Sequence, residues 1–108
     1  MVTNKKEVFE QEDQDLANLA KALAHPARIA ILKELARHPS CICGEIVEVL
    51  PLAQSTVSQH LKELLQAGLI KGTVEGKKSC YCINQDAFKQ FEQVLKTFFS
   101  ITITNECC

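Results

Sequence analysis

No apolar run in the sequence approaches the roughly 18 residues that a membrane-spanning helix needs. The N-terminus also lacks the basic, apolar and small-residue regions of a secretory signal peptide. We therefore expect a cytoplasmic protein. Internal repeats, low-complexity tracts and linkers are absent as well, and 108 residues is a usual length for one domain. These absences predict a single domain over residues 1–108, with residues 1–11 and 101–108 as flexible tails.

The chain has no positive excess of the kind that most nucleic-acid-binding domains carry, because its formal net charge is -1. Its charges are unevenly placed, however. Acidic residues dominate positions 1–15, whereas lysines outnumber acidic residues in positions 54–78. This local basic surplus is compatible with DNA binding by one part of the surface.

Hydrophobic periodicity predicts an α+β fold that is mainly helical. A first helix carries the stripe around 16–23 and ends near His25, and Pro26 opens a second helix that Pro39 ends. Ser40 is the expected N-cap of a short third helix that closes before Pro51. The remaining elements are a fourth helix over 54–68, a β-hairpin with strands 69–74 and 79–83, and a last helix capped by Asn84.

The third and fourth helices, joined by a tight turn, predict a helix-turn-helix, and the hairpin that follows is typical of a wing. The apolar stripe of the fourth helix leaves a polar face on its opposite side. We expect DNA contacts from Gln54, Ser55, Thr56, Ser58, Gln59, His60 and Lys62 on this helix, and from Lys77 and Lys78 at the wing tip. His60 flanks the stripe, so packing inside the protein is its alternative role, and His25 is expected to end or orient a helix.

The sequence resembles the ArsR/SmtB family of metal- and redox-responsive bacterial repressors over about residues 16–99. The matching segments are 19–32 (LAKALAHPARIAIL), 41–46 (CICGEI), 54–62 (QSTVSQHLK), 68–70 (GLI) and 75–78 (EGKK), with Tyr81. The resemblance implies a homodimer, paired through its first and last helices, that represses by binding a palindromic operator and leaves when an inducer binds. The winged helix-turn-helix itself is already predicted from the residues. The resemblance adds the dimer, the operator and the inducer.

The apolar ridge of the last helix supports the expected dimer independently. It comprises Phe88, Phe91, Val94, Leu95, Phe98 and Phe99. Together with the first helix, this ridge exposes more apolar surface than one small domain easily covers. The alternative is that Phe91 and Phe98 fill the core of their own chain.

Six cysteines are many for a cytoplasmic protein, in which structural disulfides are rare. Cys41 and Cys43 are expected at the start of the third helix, where the helix N-terminus lowers thiol pKa. In the family, a Cys-x-Cys here binds arsenite, antimonite, cadmium or lead. The family's next cysteine is replaced by Ile46, so Cys107 or Cys108 is expected to complete the site, although these two could also form a separate one.

Cys80 and Cys82 point to one face of a strand, because residues two apart in a strand share a face. We expect them to pack as small apolar side chains; a four-cysteine structural zinc site with Cys41 and Cys43 is the alternative. The family's zinc site on the last helix is not expected, because the only histidines are His25, His38 and His60. No cofactor is otherwise required.

Three other functions compete with a metal-responsive repressor. A repressor that senses oxidants or persulfides through its thiols would share the fold and the DNA. A protein-interaction module would share only the fold. A small thiol oxidoreductase is the least favoured, because no Cys-x-x-Cys follows a strand in a βαβ pattern. We therefore expect a regulator and not an enzyme.

Overall fold

The computed structural model describes residues 8–38, 41–43, 50–75 and 78–103, with the backbone alone for residues 42–43, 73–75 and 78–79. Its helices are α1 (Gln11–Leu23), α2 (Pro26–Ala36), α3 (Gln54–Gln66) and α4 (Gln85–Ile103). Its strands are β1 (Ile42–Cys43), β2 (Ile70–Glu75) and β3 (Lys78–Ile83). The mainly helical α+β class is confirmed. The predicted third helix falls largely outside the described residues.

The junction between α1 and α2 is fixed by local capping. His25 Nδ1 accepts a hydrogen bond of 3.0 Å from the backbone N–H of Ala27, and Pro26 occupies the first turn of α2. Arg28 Nη1 then donates to the carbonyl of Ala22, near the end of α1, at 3.2 Å. The expected role of His25 in orienting a helix is confirmed.

The hydrophobic core lies where α2 and α3 meet the base of the sheet. Residues at helical spacing supply it from each helix, so each helix buries one stripe. The most buried members are Ile31, Leu32, Leu35, Val57, Leu61, Leu64, Leu69 and Ile70. The stripe predicted for the helix around 54–68 is confirmed, with Leu65 half-buried at its edge.

Gly68 ends α3 in a left-handed conformation, with a φ of 79°. The N–H of Gly68 donates to the carbonyl of Leu65 and that of Leu69 donates to the carbonyl of Leu64, at 3.0 and 3.1 Å. This pair of bonds satisfies the last carbonyls of the helix, and the buried Leu64 and Leu69 lie at the junction. The chain therefore turns directly from α3 into β2.

The sheet has the order β1-β3-β2, with both neighbouring pairs antiparallel. The predicted hairpin is confirmed, and its strands begin and end within about one residue of the expected positions. β1 was not predicted. Residues 42–43 pair with β3, so the predicted third helix does not include them. Residues 44–49 lie outside the described residues, so the expectation that Cys41 and Cys43 stand at a helix N-terminus stays a prediction. At residues 42–43, backbone pairing with a distant strand outweighs the local helix signal.

Asn84 begins α4 as predicted, because its Oδ1 accepts a bond of 3.4 Å from the N–H of Ala87. The helix continues to Ile103, so residues 101–103 are helical and do not belong to a flexible tail. At the other end, α1 already includes Gln11. Within the described ranges, no helix combines the length and apolarity that a membrane span requires.

Candidate DNA-binding surface and cysteine cluster

The first three turns of α3 present a continuous polar face to solvent. Its exposed members are Gln54, Ser55, Thr56, Ser58, Gln59 and Lys62. Val57 and Leu61, on the opposite side, are buried. The N-cap residue is Ala53, whose side chain makes no capping bond. The first-turn N–H groups are therefore left without a side-chain cap, and such a helix end favours phosphate.

His60 is the exception among the residues predicted to contact DNA. Its side chain is buried, with 8% exposure, and Nδ1 accepts a hydrogen bond of 3.3 Å from Arg28 Nε. The ring of His25 lies 4.3 Å from that of His60, measured between centroids. The predicted DNA contact is therefore wrong for His60, which packs α3 against α2.

Burial lowers the pKa of His60, and the nearby His25 and Arg28 lower it further, whereas Glu63 acts in the opposite direction. The imidazole is therefore favoured in its neutral form. Neutral Nδ1 is an acceptor for Arg28, so the hydrogen bond and the lowered pKa are consistent with each other. The position of α3 is thus linked to the protonation state of one buried side chain.

Gln59 is held at the surface of α3 by its neighbour one turn later. Its Nε2 donates a hydrogen bond of 3.2 Å to Glu63 Oε1. An amide at this position has a donor and an acceptor for a base edge, and can exchange the intrahelical bond for one to DNA. Gln59 therefore carries, on the exposed face of α3, the kind of side chain that a base edge can bind.

The wing lysines are only partly located. Lys78 begins β3 opposite Glu75, with its side chain outside the described atoms, and Lys77 lies outside the described residues. Lys78 and Glu75 are the last paired positions of the hairpin before residues 76–77, which lie outside the described residues. Contact of the two wing lysines with phosphate stays a prediction.

Four cysteines come together across β1 and β3. Cys43 lies directly opposite Cys80, and Ile42 lies opposite Tyr81. The same register puts Cys41 opposite Cys82. We call Cys41, Cys43, Cys80 and Cys82 the cysteine patch. Cys107 and Cys108, predicted to complete a site with Cys41 and Cys43, lie outside the described residues.

The cysteines of the patch differ in their covalent state. Cys80 is disulfide-bonded, whereas Cys41 and Cys82 are free thiols. A hydrogen bond between the thiols of Cys41 and Cys82 raises the pKa of Cys82, burial raises it further, and Lys71 acts in the opposite direction. The thiol of Cys41 is exposed, so it is the accessible one of the two.

The expectation that Cys80 and Cys82 are core packing residues is wrong. Tyr81 and Ile83, which alternate with them along β3, pack against the hydrophobic core. Successive residues of a strand point to opposite faces, so Cys80 and Cys82 lie on the face away from that core. The spacing of the two cysteines was visible in the sequence, but the strand that pairs with them was not.

The helix-turn-helix domain family has a sequence profile that matches residues 23–73 of this chain. The transcriptional repressor PagR of Bacillus anthracis is 39% identical over 83 residues, covering 77% of this chain and 81% of PagR. The arsenical resistance operon repressor of Bacillus subtilis (strain 168) is 40% identical over 67 residues, which are 61% of this chain and 63% of that repressor.

The fold is shared with a crystal structure described as an ArsR family transcriptional regulator. The TM-score is 0.73 at 23% identity, with 91% of this chain and 100% of that chain covered. Relatives found by sequence are named as regulators or repressors, which are not enzymes. From these sequence relatives and the winged fold together, we conclude that the chain belongs to the ArsR/SmtB family of winged helix-turn-helix transcriptional regulators.

Proposed function

We propose that the protein is a homodimeric repressor that binds a two-fold operator through α3 and leaves it when a soft metal or metalloid ion binds at Cys41 and Cys43. The observation that carries the DNA-binding part is the exposed polar face of α3, backed by a buried stripe. A helix of this kind fits the major groove, where side chains reach base edges. Repression is supported by the names of two relatives, both of which are called repressors.

In this proposal, different residues of α3 and the wing contact the phosphates and the bases of DNA. Ser55 and Thr56 lie in the first turn, beside uncapped N–H groups that favour phosphate. Gln59 lies one turn further along and reads a base edge through its amide. Lys77 and Lys78 add phosphate contacts from the wing. Phosphate contacts set the register on DNA, whereas base contacts set the sequence preference.

The dimer is supported by apolar side chains on α4 that the described part of the chain leaves exposed. Phe98 and Phe99 are 44% and 49% exposed, and Ile101 and Ile103 beyond them are exposed too. α1 packs against the same helix. A two-fold pair built on this surface places two α3 helices on half-sites about one helical turn apart.

The trigger is supported by the accessible thiol of Cys41 and its contact with Cys82. Thiolate sulfur is the ligand that soft ions such as arsenite, antimonite, cadmium and lead prefer, and it binds them strongly. Cys107 or Cys108 provides the third thiolate in this proposal. Lead, cadmium and the two metalloids are the inducer candidates.

A chain of contacts connects the cysteines to α3. Cys82 lies two residues before Asn84, whose Nδ2 donates a bond of 2.9 Å to the carbonyl of Gly68 at the end of α3. The N–H of Asn84 donates to the carbonyl of Leu69 at 3.0 Å. A shift of β3 therefore pulls on the C-terminal end of the reading helix.

A second trigger, thiol oxidation without metal, is favoured by one observation. Cys80 is disulfide-bonded, and the two free thiols of Cys41 and Cys82 already touch. Removal of two electrons and two protons from Cys41 and Cys82 by a peroxide or persulfide would join them in a second disulfide. Both triggers act through the same sheet. They can be distinguished by the reagent that releases DNA, which is a metal or metalloid ion for the first and an oxidant for the second.

The test measures binding of the dithiol-reduced protein to an operator selected from a library of random duplexes, by fluorescence anisotropy. Arsenite or cadmium should weaken binding about 5- to 150-fold, which corresponds to about 1–3 kcal/mol of coupling. Cys41→Ser and Cys43→Ser should each keep DNA binding but abolish this release. Release by peroxide, with no response to either ion, would favour the redox trigger. Absence of any duplex preference in the selected pool would contradict the repressor itself.

A further inference from the structure

The buried side chain of His60 attaches α3 to the two helices that precede it. Its Nδ1 accepts a hydrogen bond of 3.3 Å from Arg28 Nε, and the ring of His25 lies 4.3 Å away between centroids. Arg28 Nη1 also donates to the carbonyls of Ala22 and Lys21 in the last turn of α1, at 3.2 and 3.4 Å. The imidazole on α3 is therefore bonded to a guanidinium that is itself fixed to α1.

The charged and titratable groups around His60 come from all three helices. His25 and Arg28 act on it from α2, and Glu63 acts on it from the next turn of α3. Lys21 of α1 lines the same surface cavity as Arg28 and Glu63. We call His25, Arg28, His60 and Glu63 the His60 cluster. A positive charge on the His60 ring would face two basic groups of α2 and one carboxylate of its own helix.

We propose that Arg28 is a positioning residue for DNA binding: through the neutral imidazole of His60 it holds α3 in the orientation that fits the operator, and protonation of His60 releases α3 from that orientation. Neutral Nδ1 accepts the hydrogen bond from the guanidinium, whereas a protonated imidazole is a donor at both nitrogens and has no acceptor left. Protonation therefore breaks this bond and places a second cation beside Arg28. Because burial and the basic groups of α2 lower the pKa of His60, this step requires acidic pH.

Glu63 offers the protonated ring another partner on its own helix. Its Oε1 accepts a hydrogen bond of 3.2 Å from Gln59 Nε2, and its charge favours the protonated form of His60. A cationic imidazole drawn to this carboxylate would compete with the bond from Gln59, the side chain proposed to contact a base. Protonation therefore disturbs α3 at two points, which are its attachment to α2 and the amide on its exposed face.

This inference deepens the proposed function, on which it rests for DNA binding, by adding a control of α3 that does not involve the cysteines. Acidification also adds positive charge to the whole protein, and charge alone tightens binding to any duplex through the phosphates. The release of α3 has the opposite effect on the operator. Loss of operator affinity at acidic pH, without a loss on random DNA, therefore measures the orientation of α3 and not the overall charge.

The experiment measures binding of the full-length, dithiol-reduced protein to the selected operator and to a random duplex, by fluorescence anisotropy at constant salt from about pH 8 to about pH 5. Circular dichroism at each pH identifies the range in which the chain stays folded. Since the neutral cluster is the form that fits the operator, affinity should be constant above the ordinary histidine pKa of 6.5. Below the lower pKa of folded His60, operator affinity should fall by up to about tenfold per pH unit, and affinity for random DNA should not fall.

Substitutions at His60 and Arg28 should change this profile in different ways. His60→Asn should keep operator binding at neutral pH and abolish the acid response, because an amide oxygen can accept from Arg28 but takes up no proton. His38→Asn, at an exposed position, is the matched control and should keep the wild-type profile. Arg28→Ala should weaken operator binding already at neutral pH and leave little further response to acid. Arg37→Ala, at an exposed arginine that ends the same helix, should change neither affinity nor profile.

His25→Asn tests the cluster without altering the bond between Arg28 and His60. Asparagine is a good N-cap, so α2 should keep its start. Because His25 lowers the pKa of His60, its removal should move the loss of operator binding to higher pH. This variant keeps the test decisive if His60→Asn fails to fold.

A flat operator profile in the folded wild type, or an equal acid response in His60→Asn, would overturn the proposal. Equal losses on operator and random DNA in Arg28→Ala would do so too, because they would assign the guanidinium to phosphate contact. Absent operator binding at neutral pH would refute the proposed function, and the cluster is then tested without DNA. In NMR spectra the His60 ring should titrate below 6.5, and Arg28→Ala should move this titration upward. An unchanged titration in Arg28→Ala would refute the link between the two residues.

Discussion

The guanidinium of Arg28 connects α2 to the centre of α3, because its Nε donates a hydrogen bond of 3.3 Å to Nδ1 of His60. The same guanidinium donates through Nη1 to the carbonyl of Ala22, at 3.2 Å. One side chain therefore joins α1, α2 and α3. Its acceptor on α3 is a buried histidine whose neutral form the surroundings favour.

Stability should fall as the pH drops below about 6.5, the ordinary pKa of histidine. The pKa of His60 is lowered in the folded protein, so the unfolded chain takes up the proton first. The stabilisation is complete above the unfolded pKa and is lost as the pH falls through the lower, folded pKa. Urea midpoints across this range should show the decline, and His60→Gln should flatten it. His38→Gln, at an exposed position, should keep it; equal slopes for wild type and His60→Gln would contradict this assignment.

Gln59→Ala should reduce the preference for operator over random DNA, because it removes an amide placed to read a base edge. A good base contact contributes about 1–3 kcal/mol of discrimination, so operator affinity should fall about 5- to 150-fold with little change on random DNA. Gln66→Ala, an exposed glutamine in the last turn of the same helix, is the matched control and should leave both affinities unchanged. An equal decrease on operator and random duplexes would assign Gln59 to phosphate contact.

Lys77→Ala combined with Lys78→Ala should weaken binding to operator and random DNA alike. The plot of log affinity against log salt should become less steep by about one for each lysine that no longer neutralises a phosphate. The double variant Lys89→Ala with Lys96→Ala removes the same charge from α4 and should keep the wild-type slope. If both double variants alter the slope equally, only overall charge is being measured and the wing makes no specific contact.

Local signals in the sequence were sufficient for most of the helices and the hairpin. Pro26 after His25, Gly68 after an apolar stripe, and Asn84 before another each mark a helix end through chemistry of their own. The exposed face of α3 followed from periodicity alone. These features depend on neighbours in the sequence, which periodicity and capping rules describe well.

The features that were missed depend on residues far away in the chain. β1 is two residues long and exists through its pairing with β3, so its own sequence gave no strand signal. His60 is buried because Arg28 and His25 of another helix meet it. The cysteine patch needs both the strand and its register. In each case the deciding contact spans more than thirty residues, beyond the reach of a pattern read along the chain.

Gly72→Ala should destabilise the fold by a steric route. A Cβ at this position would lie 2.7 Å from Tyr81 Cδ1 and 3.2 Å from Leu65 Cδ2, so the ring must move. Overpacking of this kind costs about 1–3 kcal/mol, measurable as a lower urea midpoint. Tyr81→Val should cost less in the Gly72→Ala background than in the wild type, because it removes the clash.

Gly68→Ala provides the contrasting case. A Cβ at Gly68 meets no atom within 4 Å, but the φ of 79° disfavours any L side chain, at a cost of about 1–2 kcal/mol. Tyr81→Val should cost the same with or without Gly68→Ala. If the two glycine variants couple equally to Tyr81, contact with the ring does not explain the destabilisation in Gly72→Ala.

Polar substitution on α4 should separate assembly from folding. Phe91 is 5% exposed and belongs to the core of its own chain, whereas Phe98 and Phe99 are 44% and 49% exposed on the same helix. Phe91→Ser should therefore unfold or strongly destabilise the protein, because removing a buried phenyl ring costs about 3–5 kcal/mol.

Phe98→Ser with Phe99→Ser should keep the helical circular dichroism but give a monomer in sedimentation at micromolar concentration. That monomer should bind a half-site weakly and lose the preference for a two-fold operator, since one reading helix is then engaged at a time. A wild-type protein that already sediments as a folded monomer would remove the dimer from the proposed function, and a dimer that survives both substitutions would place its interface elsewhere.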